Sequence, residues 1–327
     1  MIRFHRTARW ARACLLAATP LFATCAFGCG GAKDSVTAKA PATLTAEQID
    51  ADPVALLPGA PSLVSHVDAR ALLATPYGEA LGRLADKLMP VGDESGFLAS
   101  RDVDAIWSAA YAGQGLDSVA VVRGKFDEAK LEGAATKQAR ARGGLVVKST
   151  YAERSVYTVS NVAIVVLTAK TALVGTEPGV RRALDRVRDA RLQRSVPTWM
   201  LDTIDTPGAI AAVAADFDTQ PIPPELKSQI PVGWLKNVKT AKIVGMSDGG
   251  MRVKAHLTYP SPDAARDAER GLKQAQTIAS TFAITGVVPR IQDPDIKSDG
   301  SDVDCSFRVD ERGLSSLLQN AQRWLGG

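Results

Sequence analysis

Gly245-Met246-Ser247-Asp248-Gly249 is where this 327-residue chain comes nearest to spelling a nucleophile. A serine in the G-x-S-x-G spacing can ride a strained strand-to-helix turn, and His256 lies nine residues on as a candidate base. The chemistry would be acyl transfer, a serine hydrolase attacking through Ser247. The following residues argue against it. Met251, Val253, Ala255 and Leu257 alternate with Arg252, Lys254, His256 and Thr258, and a period of two belongs to a strand, not to the required helix. Ser247-Asp248-Gly249-Gly250 therefore reads as a hairpin turn, with glycine supplying positive φ. The hydrolase stays as an alternative, and no catalytic residue is assigned.

Other candidates thin out in the same way. Past residue 28 the only histidines are His66 and His256, too few for a three-histidine or HExxH zinc site. His66 shares a strand face with Val64 and Asp68 and reads as half-buried and hydrogen-bonded. Asp293, Asp295, Asp299, Asp302 and Asp304 invite calcium, but a loop opening at Asp295 places Lys297 and Ser306 where ligands belong. Asp299-Gly300 reads instead as a hairpin tip. Cys305 alternates with Val303, Phe307 and Val309, the setting of a core thiol rather than a nucleophile. Arg181, Arg182, Arg186, Arg188, Arg191 and Arg194 form the densest basic feature, expected to ring the solvated side of one helix. No metal or cofactor is expected, since phosphate-cradling glycine loops, paired thiols and dinucleotide fingerprints are missing.

The elements that would carry these residues follow from periodicity. Strands are expected near 63–68, 103–111, 118–126, 145–150, 155–160, 162–167 and 172–175, the sixth apolar throughout and so covered on both faces. Thr75-Pro76 and Thr176-Glu177-Pro178 open helices, and Asp127 opens another. The second half repeats the grammar: Pro207-Gly208 before an apolar strand, strands near 238–246 and 251–259, and a helix over 262–282. Strands near 287–297 and 302–309 and a closing helix over 311–325 complete it.

That repetition suggests an internal duplication. Asp127-x-Ala129 precedes Lys137-Gln138-Ala139 as Asp263-x-Ala265 precedes Lys273-Gln274-Ala275, at the same spacing. Strand pairs mixed with long helices predict an α+β fold. Two tandem similar lobes are expected, each a ferredoxin-like antiparallel sheet with helices packed on one face. The boundaries fall at 51–196 for the first lobe and 197–327 for the second. A concave seam between the lobes is the expected binding place.

Residues 1–28 give the chain its address. Arg3, Arg6, Arg9 and Arg12 precede an uncharged stretch from Ala13 to Gly28, and Ala26-Phe27-Gly28-Cys29 closes it. A basic start, a short apolar core and a small residue before the cut describe a secretory signal. The cysteine after that small residue resembles the lipobox of bacterial lipoproteins. The resemblance implies cleavage before Cys29, acylation of its thiol and, with Gly30 rather than aspartate following, residence at the outer membrane. Residues 29–50 would then be the acylated cysteine and a flexible tether, small, polar and alanine-rich.

Charge agrees with this address. The chain holds 39 Lys+Arg and 35 Asp+Glu; losing four signal arginines leaves 35 of each sign, a neutral body. Nucleic acid is excluded as a partner, because binding it needs a basic field. The expected partners are a bilayer, through acylated Cys29, and a small ligand or envelope protein. The function expected is that of a non-catalytic envelope lipoprotein, with a purely structural or assembly role as a further alternative. Cells fed an alkyne-tagged fatty acid should label the wild-type protein, and Cys29→Ala should abolish that label; in-gel fluorescence reads the difference.

Overall fold

The computed structural model describes residues 44–89, 95–112, 116–136, 140–141, 144–221, 237–283 and 290–324. Folding starts earlier than the sequence suggests. Helix α1 (Ala46–Ala51) lies inside the expected tether, and its start is a capping box in which Thr45 accepts from the Gln48 amide while Gln48 reaches back. The Thr45-x-x-Gln48 signature was present in the sequence. A 3-10 turn (Pro53–Leu56) follows, capped by Asp52.

Fourteen strands and nine helices can be followed among the described residues. Strand β1 (Leu63–Asp68) leads through α2 (Ala69–Leu73), α3 (Gly78–Leu88) and α4 (Ala99–Asp102) to β2 (Val103–Ala112) and β3 (Leu116–Gly124). Helix α5 (Glu128–Thr136) precedes the two-residue strands β4 (Arg140–Ala141) and β5 (Gly144–Leu145). Then come β6 (Val147–Tyr151), β7 (Arg154–Val159), β8 (Val162–Val166), β9 (Thr171–Gly175) and α6 (Glu177–Arg188). The second half runs α7 (Thr198–Ile204), β10 (Ala209–Asp216), β11 (Thr240–Ser247), β12 (Gly250–Thr258), α8 (Pro262–Ala283), β13 (Ile291–Asp299), β14 (Asp302–Asp310) and α9 (Glu311–Trp324).

The fold is α+β around one large antiparallel sheet. Twelve strands line up as β13-β14-β12-β11-β10-β1-β2-β3-β9-β8-β7-β6, and β4 and β5 pair apart. The halves do not make two separate ferredoxin-like sheets side by side. Instead β1 pairs with β10, Leu63 opposite Ala215 through Val67 opposite Ala211, and the sheet runs on across the junction.

Register sorts the side chains onto two faces, since successive residues of a strand alternate. The front carries Val64, Ala109, Val119, Val121, Leu173, Ala163 and Val165 in the first half. Helices α6 and α7, α1 and the 3-10 turn cover it, making the main core with Leu56, Leu57, Leu184, Met200 and Ile204 at 1% exposure or less. The back carries Ile106, Ala120, Val122, Val174, Ile164 and Val166, against α2 to α5. Helices therefore cover both faces of the first half, and the expectation of one-sided packing fails there. Strand β8 needed such cover, because all five of its residues are apolar.

Among the described residues the second half is covered mainly on the back, with α7 alone on its front over β10 and β11. Helix α8 seats Ala265 and Ala268 on Ala241, Leu257, Ile296 and Val303. Beyond α7, the front of this half is a charged ladder: Lys242 opposite His256, His256 opposite Asp304, and Asp304 opposite Lys297. Polar residues alternating with core residues let this part of the sheet stand with one face in water.

Two carboxylates fix helices to the sheet. The Asp50 side chain at the end of α1 accepts from the Thr168 and Thr171 hydroxyls, each at 2.6 Å, and Arg123 donates to the Asp50 carbonyl. Glu269 on α8 takes the Ser298 hydroxyl and amide and pairs with Lys273. The Asp50→Ala change should lower stability by about 1–3 kcal/mol, the cost of orphaning buried donors such as Thr171. A lower urea midpoint at unchanged slope is the expected reading. Lys273, then Ser298, hold the Glu269 carboxyl down to about 2. Its contribution is full above the ordinary value of 4.5 and is lost as pH falls toward 2. Glu269→Gln should therefore flatten the acid limb of a stability-versus-pH curve.

Candidate functional site

Between the back of the first half and its helices lies an apolar cavity of about 540 Å³. Its floor is Ile106, Ala120, Val122, Ala172, Val174 and Ile164, from β2, β3, β9 and β8. Its roof is Leu72 and Leu73 of α2 with Leu81 and Ala85 of α3, followed by Met89. Phe97 and Phe126 stack at 5.7 Å between ring centroids and form one wall, with Leu131 of α5 beside them.

The hollow has a cause in side-chain size. Alanines at 120 and 172 leave the floor low beneath α3, which cannot descend because its partners hold it elsewhere. Asp86 of α3 accepts the Ser100 amide at 2.9 Å and its hydroxyl at 2.6 Å, tying α3 to α4. Helix α9 packs on α3 from the other half of the chain. Leu72, Leu73, Leu81 and Ala85 are thus only partly buried, whereas leucines of the front core are 0–1% exposed. Apolar atoms bordering empty space forgo dispersion partners, so this region is less tightly held than the front core.

Polar groups gather at the rim. Arg101 donates to both oxygens of Asp102 at 2.6–2.8 Å and to the Gly96 carbonyl, and this pairing holds the Asp102 carboxyl below its ordinary range. Asp102 also caps α4 through the Leu98 amide. Lys130 lies 3.7 Å from Asp127. Lys125 is exposed, lines the cavity, and has no ion-pair partner among the described residues.

The cavity belongs to the first half. Of the junction strands only β1 reaches it, through Val67. The expected seam between lobes is occupied by backbone pairing of β1 with β10. Phe97 and Phe126 went unnoticed in the sequence. In the helix that Thr75-Pro76 opens, Leu81, Leu84, Ala85 and Leu88 stand at helical spacing, and nothing in that spacing distinguishes a packed face from the roof of a void.

The residues considered for chemistry do not converge. Ser247 ends β11 opposite Met251 on the back of the sheet. His256 points to the front, five positions along β12, about 17 Å away at ~3.4 Å per residue. Gly249 and Gly250, at φ +51° and +138°, make the expected hairpin. His256 instead lies 2.9 Å from Asp304. His66 stacks on Trp107 at 4.9 Å and hydrogen-bonds the Ile204 backbone, while burial pushes its imidazole below the ordinary range. It sits three strands from His256, about 14 Å at ~4.8 Å per strand.

The acidic run is spread along the β13–β14 hairpin, with Asp295 on Lys297 and Asp304 on His256. Among the described residues no group of three or more His, Cys, Asp or Glu is placed to hold a metal. Cys305 is half-buried against the second-half core, and burial pushes its thiol up. The arginines of α6 and of the segment after it are not a free basic face, and Arg191 and Arg194 lie beyond the helix end at Arg188. Arg186 is 9% exposed and donates to the Ala55 and Gln193 carbonyls. Arg181, Arg182, Arg188, Arg191 and Arg194 each meet a carboxylate. Cys29 and Lys137-Gln138-Ala139 lie outside the described residues. Among the described residues no helix is long and apolar enough to cross a membrane.

No family model matches the chain, and no curated protein matches it. Solved structures similar to it include three crystal forms of TP0453. Form I is 10% identical at a TM-score of 0.47, with 82% of this chain and 97% of that one covered. Form IV is 8% identical at 0.48, covering 83% and 96%, and form III is 10% identical at 0.46, covering 82% and 98%.

Proposed function

We propose that this chain is a non-catalytic envelope lipoprotein, anchored through acylated Cys29 at the outer membrane, whose folded body binds an apolar ligand. The cavity between α2–α5 and the back of the sheet carries this reading. A ligand site is concave, mostly apolar and edged by a few polar groups, within ~300–1,000 Å³. At about 540 Å³, lined mostly by apolar side chains and with four of its five charged lining residues exposed, this cavity meets that description. The separation of Ser247 from His256 speaks against the hydrolase, and a void of this size speaks against a purely structural role.

The anchor follows from the sequence of residues 1–29 and gives the binding a place. Each buried methylene contributes about 0.8 kcal/mol, and two or more chains turn reversible binding into stable residence. The halves are read as descendants of one duplicated unit. In its support, β1-β2-β3 then α5 matches β10-β11-β12 then α8. In both halves the last strand, β9 or β14, folds back beside the third.

Nile red, an uncharged dye that brightens in apolar surroundings, tests the cavity. The mature chain should enhance its fluorescence. Ala120→Trp on the floor and Ala85→Trp on the roof should each remove most of the enhancement while keeping the wild-type circular dichroism. Enhancement that persists in both folded variants, or none with the wild type, would overturn the reading.

A further inference from the structure

We infer that the cavity's ligand is a single-tailed amphiphile whose anionic head sits against Lys125 and Lys130 at the mouth. The inference rests on the apolar-ligand reading above and adds the head group. Three cations and two carboxylates line the site: Arg101, Lys125 and Lys130 against Asp102 and Asp127. Their pairing is uneven. Asp102 is committed to Arg101 and to the Leu98 amide, and it is buried. Asp127 caps the Ala129 amide and stands 3.7 Å from Lys130, a loose pairing. Lys125 forms no close ion pair among the described residues, its charge acting on Asp102 only at longer range. Among the described lining residues, cations therefore outnumber carboxylates by three to two next to an apolar interior.

Geometry puts that surplus where a head group would lie. Lys125 and Phe126 are consecutive residues leaving β3, so the ammonium stem starts beside the aromatic wall. Lys130 reaches the same rim from the first turn of α5, its Nζ within 4.0 Å of where a side chain on Gly96 would begin. A long cationic side chain lays its methylenes along apolar surface and keeps its charge in water, which suits the edge of a greasy pocket. A neutral apolar molecule would use the interior and leave Lys125 unanswered. An anionic head answers it, by carboxylate or phosphate alike. The volume lies in the lower half of the range for small-molecule sites, which favours one tail over two.

The mature protein is titrated with 11-(dansylamino)undecanoic acid and with its methyl ester, which share tail and fluorophore while the ester head is uncharged. The acid should bind roughly five- to tenfold more tightly, an advantage that shrinks as salt rises. The double change Lys125→Glu with Lys130→Glu should erase the advantage of acid over ester while keeping the wild-type circular dichroism. Displacement by dodecanoate and by dodecyl phosphate then tells a carboxylate preference from a phosphate one. Equal binding of acid and ester, or an acid advantage that survives charge reversal, overturns the anionic head and leaves the apolar site standing. If neither compound binds, the apolar-ligand reading itself falls.

Discussion

The pairing of β1 with β10 is the constraint on which the rest of the body depends. Five backbone positions from Leu63–Ala215 to Val67–Ala211 join what would otherwise be two sheets. Strand β10 is built for this central place. Six of its eight residues are alanine or valine on alternating faces, and small side chains let α7 lie close on the front. Because the junction is made by main-chain hydrogen bonds, the halves share strand direction and twist, and neither can turn without carrying the other.

From that junction the two halves diverge in how they are covered. The first buries both faces and contains a dense front core and a hollow back. The second keeps one face in water, edged with ladders of opposite charge that contribute little individually because they are solvated. The difference sets where a ligand can go. Apolar space needs walls on two sides, and among the described residues the first half has helices held off its sheet, by Asp86 on Ser100 and by α9 on α3. The proposed anchor and the proposed ligand site thus belong to different parts of the chain, one at the head of the tether and one in the fold.

Much of the framework was legible beforehand. Alternation placed β1, β2, β7, β11, β12 and β14 within two residues, and the Thr176 cap with Pro178 located the start of α6. The hairpin at Gly249-Gly250 followed from its glycines. What escaped was short or depended on distant partners. Helices α2, α4 and α7 span only four to seven residues, too few for a helical period to declare itself. Arg186 looked like a surface arginine among five others, and its burial is set by carbonyls 131 and seven residues away in sequence. The cavity was invisible because an absence of packing has no residue type of its own.

The rims of the sheet differ, and this bears on self-assembly. At one rim β13 carries Pro294, a register break between Gln292 and Asp295 and several acids, devices that discourage another strand from adding. At the other, β6 is a regular, largely exposed strand that among the described residues pairs with β7, opening on exposed Val147 just after exposed Leu145. Growth of a ribbon needs two receptive borders. With one shut, copies meeting border to border can match β6 only with β6, around a two-fold axis, and the association ends at a pair instead of running on into a fibre.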